Sequence, residues 1–243
     1  MNYKLTISFD GSNYHGWQRQ LNDITVAACM ENAVMRIFGE YTTVNGCSRT
    51  DAGVHALEYC CNFRSQKQFS PEKLIASLNS QLPKDICVNR CELVPEEFHA
   101  RFDCKSKEYV YVLLNSKTNS PFLINRAYFY PYMVDVELMN TVSGEFVGTH
   151  DFASFCASGS SVSSTVRTVE SFKVERRGEL VTFCVTADGF LYNMVRIMVG
   201  TLLDISRGKI GPGALGGILE AKDRTLAGIT APAAGLYLAH VYY

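Results

Sequence analysis

No stretch of this 243-residue chain strings together about 18 apolar side chains, so no membrane-spanning helix is expected. The chain also lacks a Cys-x-x-Cys pair. Its nine cysteines are an odd number, scattered, with Cys60 and Cys61 adjacent. That usage argues against a zinc ribbon and against a disulfide framework, and points to a reducing, cytoplasmic setting without a bound metal. There is no apolar leader: Met1–Thr6 runs straight into a strand-like alternation, so no signal peptide is expected. Excess positive charge is missing as well. Lys and Arg number 23 against 24 Asp and Glu, a net charge of -1. A strongly basic nucleic-acid binder looks different, so any RNA partner would have to be met by locally concentrated basic residues. Charged residues are only 19% and hydrophobic ones 47%, which excludes a disordered chain.

What is present reads as alternating strands and helices. Lys4–Phe9 alternates polar and apolar as a half-buried strand does, and Asp10-Gly11-Ser12-Asn13 breaks it. Thr25–Phe38 has apolar residues at helical spacing, with Asp23 or Thr25 as the cap. Tyr41–Gly46 and Glu58–Arg64 read as strands. Ser70-Pro71-Glu72 starts a helix, with Ser as cap and Pro at the first helical position. Ile86–Val94 is a strand. The order is β-α-β-β-α-β, the ferredoxin-like pattern.

After the turn-rich Val94–Ser106 the pattern repeats. It runs through a strand at Tyr109–Leu114, a short helix at Val136–Phe146, and strands at Val166–Arg176 and Leu180–Ala187. An apolar helix at Leu191–Arg207 and a strand at Leu236–Tyr242 close it. Extra segments fall at Pro121–Met133, Gly148–Ser164 and Pro212–Pro232, and the Ser-rich Ala157–Thr165 reads as a mobile loop. The expectation is an α+β chain of two ferredoxin-like halves, residues 1–103 and 104–243.

The densest chemistry lies between the strands of the first half, in Gly46-Cys47-Ser48-Arg49-Thr50-Asp51-Ala52-Gly53-Val54-His55-Ala56. A plain hairpin turn needs about two to five residues. This connection is longer and holds a carboxylate, a guanidinium, an imidazole, hydroxyls and a thiol. Gly46 and Gly53 leave the backbone room to aim Asp51. The bland alternative is a solvated loop with an Asp in a turn.

Arg-Thr-Asp-Ala-Gly-Val-His-Ala resembles the catalytic motif of the TruA family of tRNA pseudouridine synthases, in which the Asp is essential. The resemblance runs almost end to end: Phe9–Gln20, Phe98-His99-Ala100-Arg101-Phe102, Lys107–Tyr111, His150–Phe155, Arg167-Thr168, Phe190–Arg196 and Ala231–Leu238 all resemble family signatures. It implies a pseudouridine synthase fold, with a largely antiparallel sheet and an active cleft between two ferredoxin-like halves. It also implies a homodimer acting on tRNA without a cofactor. The implied substrates are uridines of the anticodon stem-loop, at tRNA positions 38, 39 and 40. A non-catalytic RNA-binding or RNA-folding module on the same fold is the alternative, and an unrelated ferredoxin-like enzyme or sensor is a remoter one.

Residue roles follow from the same resemblance. Asp51 matches the catalytic Asp; whether it attacks the base, attacks the sugar or removes a sugar proton stays open. Arg196 matches the basic residue that pairs with that Asp, and it is the only charge between Asp188 and Asp204. Its bland reading is an Arg whose stem lies along apolar surface. Tyr109 matches the active-site Tyr, a stacking platform and proton acceptor, although it and Tyr111 share a strand face as two core aromatics would. Leu236 or Leu238, with Leu238 favoured, matches the apolar wall under the uracil. Arg49 matches the residue that props the flipped base. Arg19, Arg101 and Arg167 are candidate phosphate contacts, as are Lys105 and Lys107. His55 reads as structural, bonding within its loop. The sequence departs from many family members at Ser48, where they carry Gly. Cys47 has no activating partner at a defined spacing.

Overall fold

The computed structural model describes residues 1–159 and 162–243, so part of the Ser-rich stretch 157–165 lies outside the described residues. The chain divides into two compact units: Met1–Lys105 together with Tyr237–Tyr243, and Ser106–Leu236.

In the first unit β1 (Asn2–Phe9) is the central strand. Tyr3, Leu5, Ile7 and Phe9 are buried on one face while Lys4, Thr6 and Ser8 are partly exposed on the other, the period-2 pattern of a half-covered sheet. β3 (His55–Arg64) and β4 (Ile86–Val94) flank β1, both antiparallel. Two strands share the remaining edge of β3. The short β2 (Asn45–Gly46) pairs antiparallel with Asn62 and Cys61. β10 (Leu236–Tyr242) pairs in parallel, Tyr237 opposite His55 and Leu238 opposite Ala56.

Helix α1 (Val26–Phe38) starts where expected, and of the two candidate caps it uses Thr25, whose Oγ1 accepts from the Ala28 N–H. Such a cap contributes about 1 kcal/mol. Helix α2 (Pro71–Gln81) is capped by Ser70 with Pro71 at its first position. Met30, Val34 and Phe38 of α1 and Leu74 and Leu78 of α2 are fully buried. Phe38 meets Phe63 at 5.4 Å and Phe69 at 4.8 Å, and Tyr3 stacks on Phe63 at 5.3 Å. Each such side chain contributes roughly 1.5–3 kcal/mol by leaving water.

The strand expected over Tyr41–Gly46 is realised only at Asn45–Gly46. The cause is Glu31, a carboxylate on the buried face of α1. It accepts from Arg19 Nη1 at 2.7 Å, from the Tyr41 hydroxyl at 3.1 Å and from the Val44 N–H at 3.5 Å. A buried carboxylate is costly unless its oxygens are bonded. Residues 41–44 therefore wrap the helix instead of extending the ladder.

The second unit has β5 (Ser106–Leu114), β9 (Leu180–Ala187), β8 (Val166–Arg177) and β7 (Gly148–Asp151) side by side, each antiparallel to the next. β6 (Tyr128–Phe129) adds a short parallel pair to β5. Helix α3 (Val136–Ser143) is shorter than expected, its last turn tightening to a 3-10 turn at Gly144–Phe146. Helix α4 (Met194–Ser206) is buried over almost its whole length, and α5 (Leu215–Ala221) lies in the extra segment at 212–232. Phe146 centres an aromatic cluster, with Phe155 at 5.0 Å and Phe172 at 5.6 Å. Among the described residues the elements make an α+β fold with mostly antiparallel pairing, as expected.

Candidate active site

Asp51 sits in the loop between β2 and β3 and is partly buried. The loop turns tightly, with the Val54 N–H bonded to the Asp51 carbonyl at 3.2 Å and Gly53 at φ 78. It hangs from the segment 10–17 by main-chain bonds. The Gly53 N–H donates to the Tyr14 carbonyl at 3.1 Å and the Trp17 N–H to the Thr50 carbonyl at 3.3 Å. The Gly11 N–H donates to His55 Nδ1 at 3.0 Å. Two glycines permit this approach: a Cβ on Gly11 would lie 2.0 Å from the Val54 carbonyl oxygen, and one on Gly16, at φ 78, 2.1 Å from that of Thr50.

The near side of the loop is fixed by aromatics. Trp17 stacks on Tyr59 at 4.2 Å, and the Tyr59 hydroxyl bonds to the main chain of Ser48. Gly46 is obligatory here, because a Cβ would fall 2.1 Å from the Tyr59 oxygen and 2.4 Å from the Trp17 ring. The extra side chain at Ser48 is thus accommodated, since Tyr59 grips its backbone. Cys47 is buried, consistent with a structural thiol. Thr50 Oγ1 is the one buried side-chain oxygen or nitrogen without a hydrogen-bond partner among the described residues, a cost of about 1–3 kcal/mol carried next to Asp51.

His55 is tied to the neighbouring turn. The Gly11 N–H and Asp10 Oδ1 both approach its Nδ1, at 3.0 and 3.2 Å. The buried ring stacks on Tyr237 at 4.6 Å. Leu238, fully buried, follows on β10 opposite Ala56, so the first unit brings the candidate wall residue to the end of the Asp51 loop. Leu236 is also buried.

In the second unit Tyr109 and Arg196 both address the entry of α4. Tyr109, on β5, is 5% exposed and meets Phe190 edge-on at 5.0 Å. Arg196 is partly buried; its Nε donates to the Ala231 carbonyl at 2.7 Å and its Nη1 to Asn193 Oδ1 at 2.6 Å. Ala231 is itself tied back by its N–H to the Arg196 carbonyl at 3.1 Å. Gly200 makes that closeness possible, since a Cβ there would lie 1.8 Å from the Ile229 carbonyl oxygen. Asn193 takes φ 60, a left-handed turn that delays α4 to Met194 rather than the expected Leu191. Tyr111, two residues along from Tyr109, is pure core. It is fully buried, bonded through its hydroxyl to the Pro232 carbonyl at 2.8 Å, and burial pushes its pKa up.

The remaining candidates differ in how far they are committed. Arg49 is exposed on the Asp51 loop. Arg101 is exposed, its guanidinium 5.9 Å from the Phe102 ring. Arg19 is ion-paired with Glu31, and Arg167 Nη1 donates to the carbonyls of Ser164 at 3.0 Å and Val166 at 2.6 Å. Lys105 is exposed, and Lys107 is buried on β5. The sequence reading missed Glu31, Tyr59 and the brace from 10–17. Main-chain hydrogen bonds leave no side-chain signature, and the paired glycines were the one available sign.

A family model described as tRNA pseudouridine synthase matches residues 5–103 and 142–243, spans that include Asp51 and Arg196, with Tyr109 falling between them. A protein of Clostridium acetobutylicum named tRNA pseudouridine synthase A is 47% identical over 242 residues, covering 100% of this chain and 99% of that one. Proteins of the same name from Thermoanaerobacter sp. and Acetivibrio thermocellus are each 44% identical, with the same coverage. A solved structure described as a Cbf5-Nop10-Gar1 complex aligns with 97% of this chain and 57% of that one. At 13% identity and a TM-score of 0.37 the likeness is too loose to build on. A mostly antiparallel α+β fold with Asp51 on a braced loop thus comes with a family match over most of the chain and relatives matched end to end: the chain belongs to the tRNA pseudouridine synthase family.

Proposed function

We infer that the chain is an isomerase that converts uridine to pseudouridine in tRNA. The observation that carries this reading is the family match along nearly the whole chain, with the Asp51 motif intact on a braced loop. The C1′–N1 bond of uridine breaks, the uracil turns, and a C1′–C5 bond forms; one proton leaves C5 and one arrives at N1. Atoms and electrons balance without an oxidant or a group donor, so the chemistry calls on no cofactor. It does call on a carboxylate acting as nucleophile or as acid and base, and Asp51 is that group.

On this reading Arg196 supplies the positive charge that keeps the carboxylate ionised, and its two hydrogen bonds support a fixed guanidinium. Tyr109 offers a ring for stacking and a hydroxyl for proton movement. Leu238 forms the apolar wall, and Arg49, exposed beside Asp51, props the flipped base. Arg19, Arg101 and Arg167 contact phosphates; the bonds of Arg19 and Arg167 to Glu31 and to carbonyls set their direction. The target uridines are those on the 3′ side of the anticodon stem-loop, and the enzyme works as a cytoplasmic homodimer. No helix among the described residues is long and apolar enough to cross a membrane.

Tritium release from C5-labelled uridine in tRNA tests this directly. Release that depends on Asp51 is the expected result. Tight tRNA binding without release would favour the RNA-binding module, and neither binding nor release would sink both readings.

A further inference from the structure

The turn that holds the Asp51 loop is itself held from elsewhere. Asp85 lies between α2 and β4, outside every motif of the sequence analysis. Its carbonyl accepts the Asp10 N–H at 2.9 Å. Its side chain accepts the Tyr14 hydroxyl on Oδ1 at 2.5 Å and the Asn13 amide on Oδ2 at 3.1 Å. Asp85 thus clamps the 10–14 turn at both ends. That turn presents the Gly11 N–H to His55 and the Tyr14 carbonyl to Gly53. Tyr14 is buried, and burial followed by the bond to Asp85 pushes its pKa up, so its hydroxyl stays a donor to the carboxylate. Charge-assisted bonds of this kind are about twice as strong as neutral ones.

We propose that Asp85 is a positioning residue for Asp51, acting through Tyr14 on the main chain of the catalytic loop. The proposal rests on Asp51 being the catalytic group. Ser70 and Thr25 in this unit cap helices, whereas among the described residues the hydrogen bonds of the Asp85 side chain go to the turn that carries the loop. The chain also contains its own reporter. Trp17 is the single tryptophan, stacked on Tyr59 and bonded through its N–H to Thr50, so its emission reads the geometry of the residue before Asp51.

The test is single-turnover kinetics on tRNA with the full chain and the variants Tyr14→Phe, Asp85→Ala, Asp85→Asn and the Tyr14→Phe/Asp85→Ala pair. tRNA affinity, melting and Trp17 emission are measured on the same samples. Tyr14→Phe and Asp85→Ala are expected to slow the reaction by about tenfold or more and to shift Trp17 emission, with tRNA Kd within about threefold. The double variant should be no slower than the worse single one, because both cut one link. Asp85→Asn keeps an acceptor for the Tyr14 hydroxyl and should recover most of the rate. Rates within about twofold of the parent in folded Tyr14→Phe and Asp85→Ala protein, whether or not Trp17 emission moves, would overturn the proposal. If Asp85→Ala does not fold, Tyr14→Phe still decides. Asp51→Asn is run alongside: if it turns over normally, the catalytic reading falls, whereas an inactive Asp51→Asn with a normal Tyr14→Phe refutes the positioning role alone.

Discussion

The Asp51 loop and the entry of α4 solve one problem in opposite ways. Each must point a charged side chain, and each relies on a glycine against a carbonyl. The carboxylate of Asp51 is aimed by main-chain bonds to its neighbours, drawn from a segment some 35 residues earlier. The guanidinium of Arg196 is aimed by its own bonds, to Asn193 one turn before and to Ala231. A short side chain has only two torsions, so the backbone sets most of its direction. A long side chain with five donors can be tied directly, as its planar fork allows. Damage to the first region should therefore come from distant residues, and damage to the second from local ones.

The largest break expected is Asp51→Asn. Turnover should fall by about a thousandfold or more, while tRNA affinity stays within a few-fold, since binding is spread over many backbone contacts. Single-turnover assay and filter binding on the same protein check it. A hundredfold loss of affinity would recast Asp51 as structural.

Next come the glycines that permit each approach. Gly16→Ala meets the Thr50 carbonyl and a positive φ, and Gly200→Ala meets the Ile229 carbonyl. Each should cost roughly 1–3 kcal/mol in chemical denaturation. Gly16→Ala should also shift Trp17 emission, whereas Gly200→Ala should leave it unchanged. A Trp17 shift in Gly200→Ala would refute the expectation that damage at the α4 entry stays local.

A finer contrast lies within one strand. Tyr109→Phe should slow the reaction strongly with little change in melting, because the ring is kept and only the hydroxyl is lost. Tyr111→Phe removes a buried hydroxyl bonded to Pro232, and should cost about 1 kcal/mol of stability and nothing in rate. Equal rates in the two variants would demote Tyr109 to packing.

The smallest effect concerns Asp151. Lys222 Nζ at 2.8 Å, then Thr165 Oγ1 at 2.5 Å, hold its carboxyl below the usual range. A depressed folded-state pKa gives stability that is present above the unfolded pKa and lost as pH falls through the folded one. Lys222→Gln should therefore cost a few tenths of a kcal/mol at neutral pH and less near pH 3, given the exposure of the pair. Urea titrations at the two pH values would show it. A cost that grows on acidification would refute the assignment.

How much of this was legible depends on where the information sits. Side-chain signals read well: the Ser70-Pro71 start of α2, Thr25 as one of two caps offered for α1, and the bounds of β4, β9 and β10. Tyr41–Gly46 misled because its Tyr, Thr and Val favour strands, but Glu31 draws residues 41–44 away from the ladder, and a carboxylate inside an apolar stripe gives no warning of its partners. The start of α4 misled because Leu191 and Tyr192 continue the apolar run, while Asn193 adopts a backbone angle that only the folded chain enforces. The Asp51 motif was visible at once; what holds it in place is largely N–H and C=O groups, which carry no residue-specific signal.

The shared edge of β3 has a consequence for how the chain comes together in time. β10 reaches that edge about 180 residues after His55, and a connection of that length makes a late, entropically expensive closure. During synthesis, β1, β3, β4 and both helices of the first unit are available long before the strand that completes their sheet. Until β10 docks, the His55–Ala56 end of β3 presents unpaired backbone groups, the kind of rim along which nascent chains stick to one another. Maturation of the first unit is thereby tied to translation of β10, and truncation just before Tyr237 would leave that unit aggregation-prone.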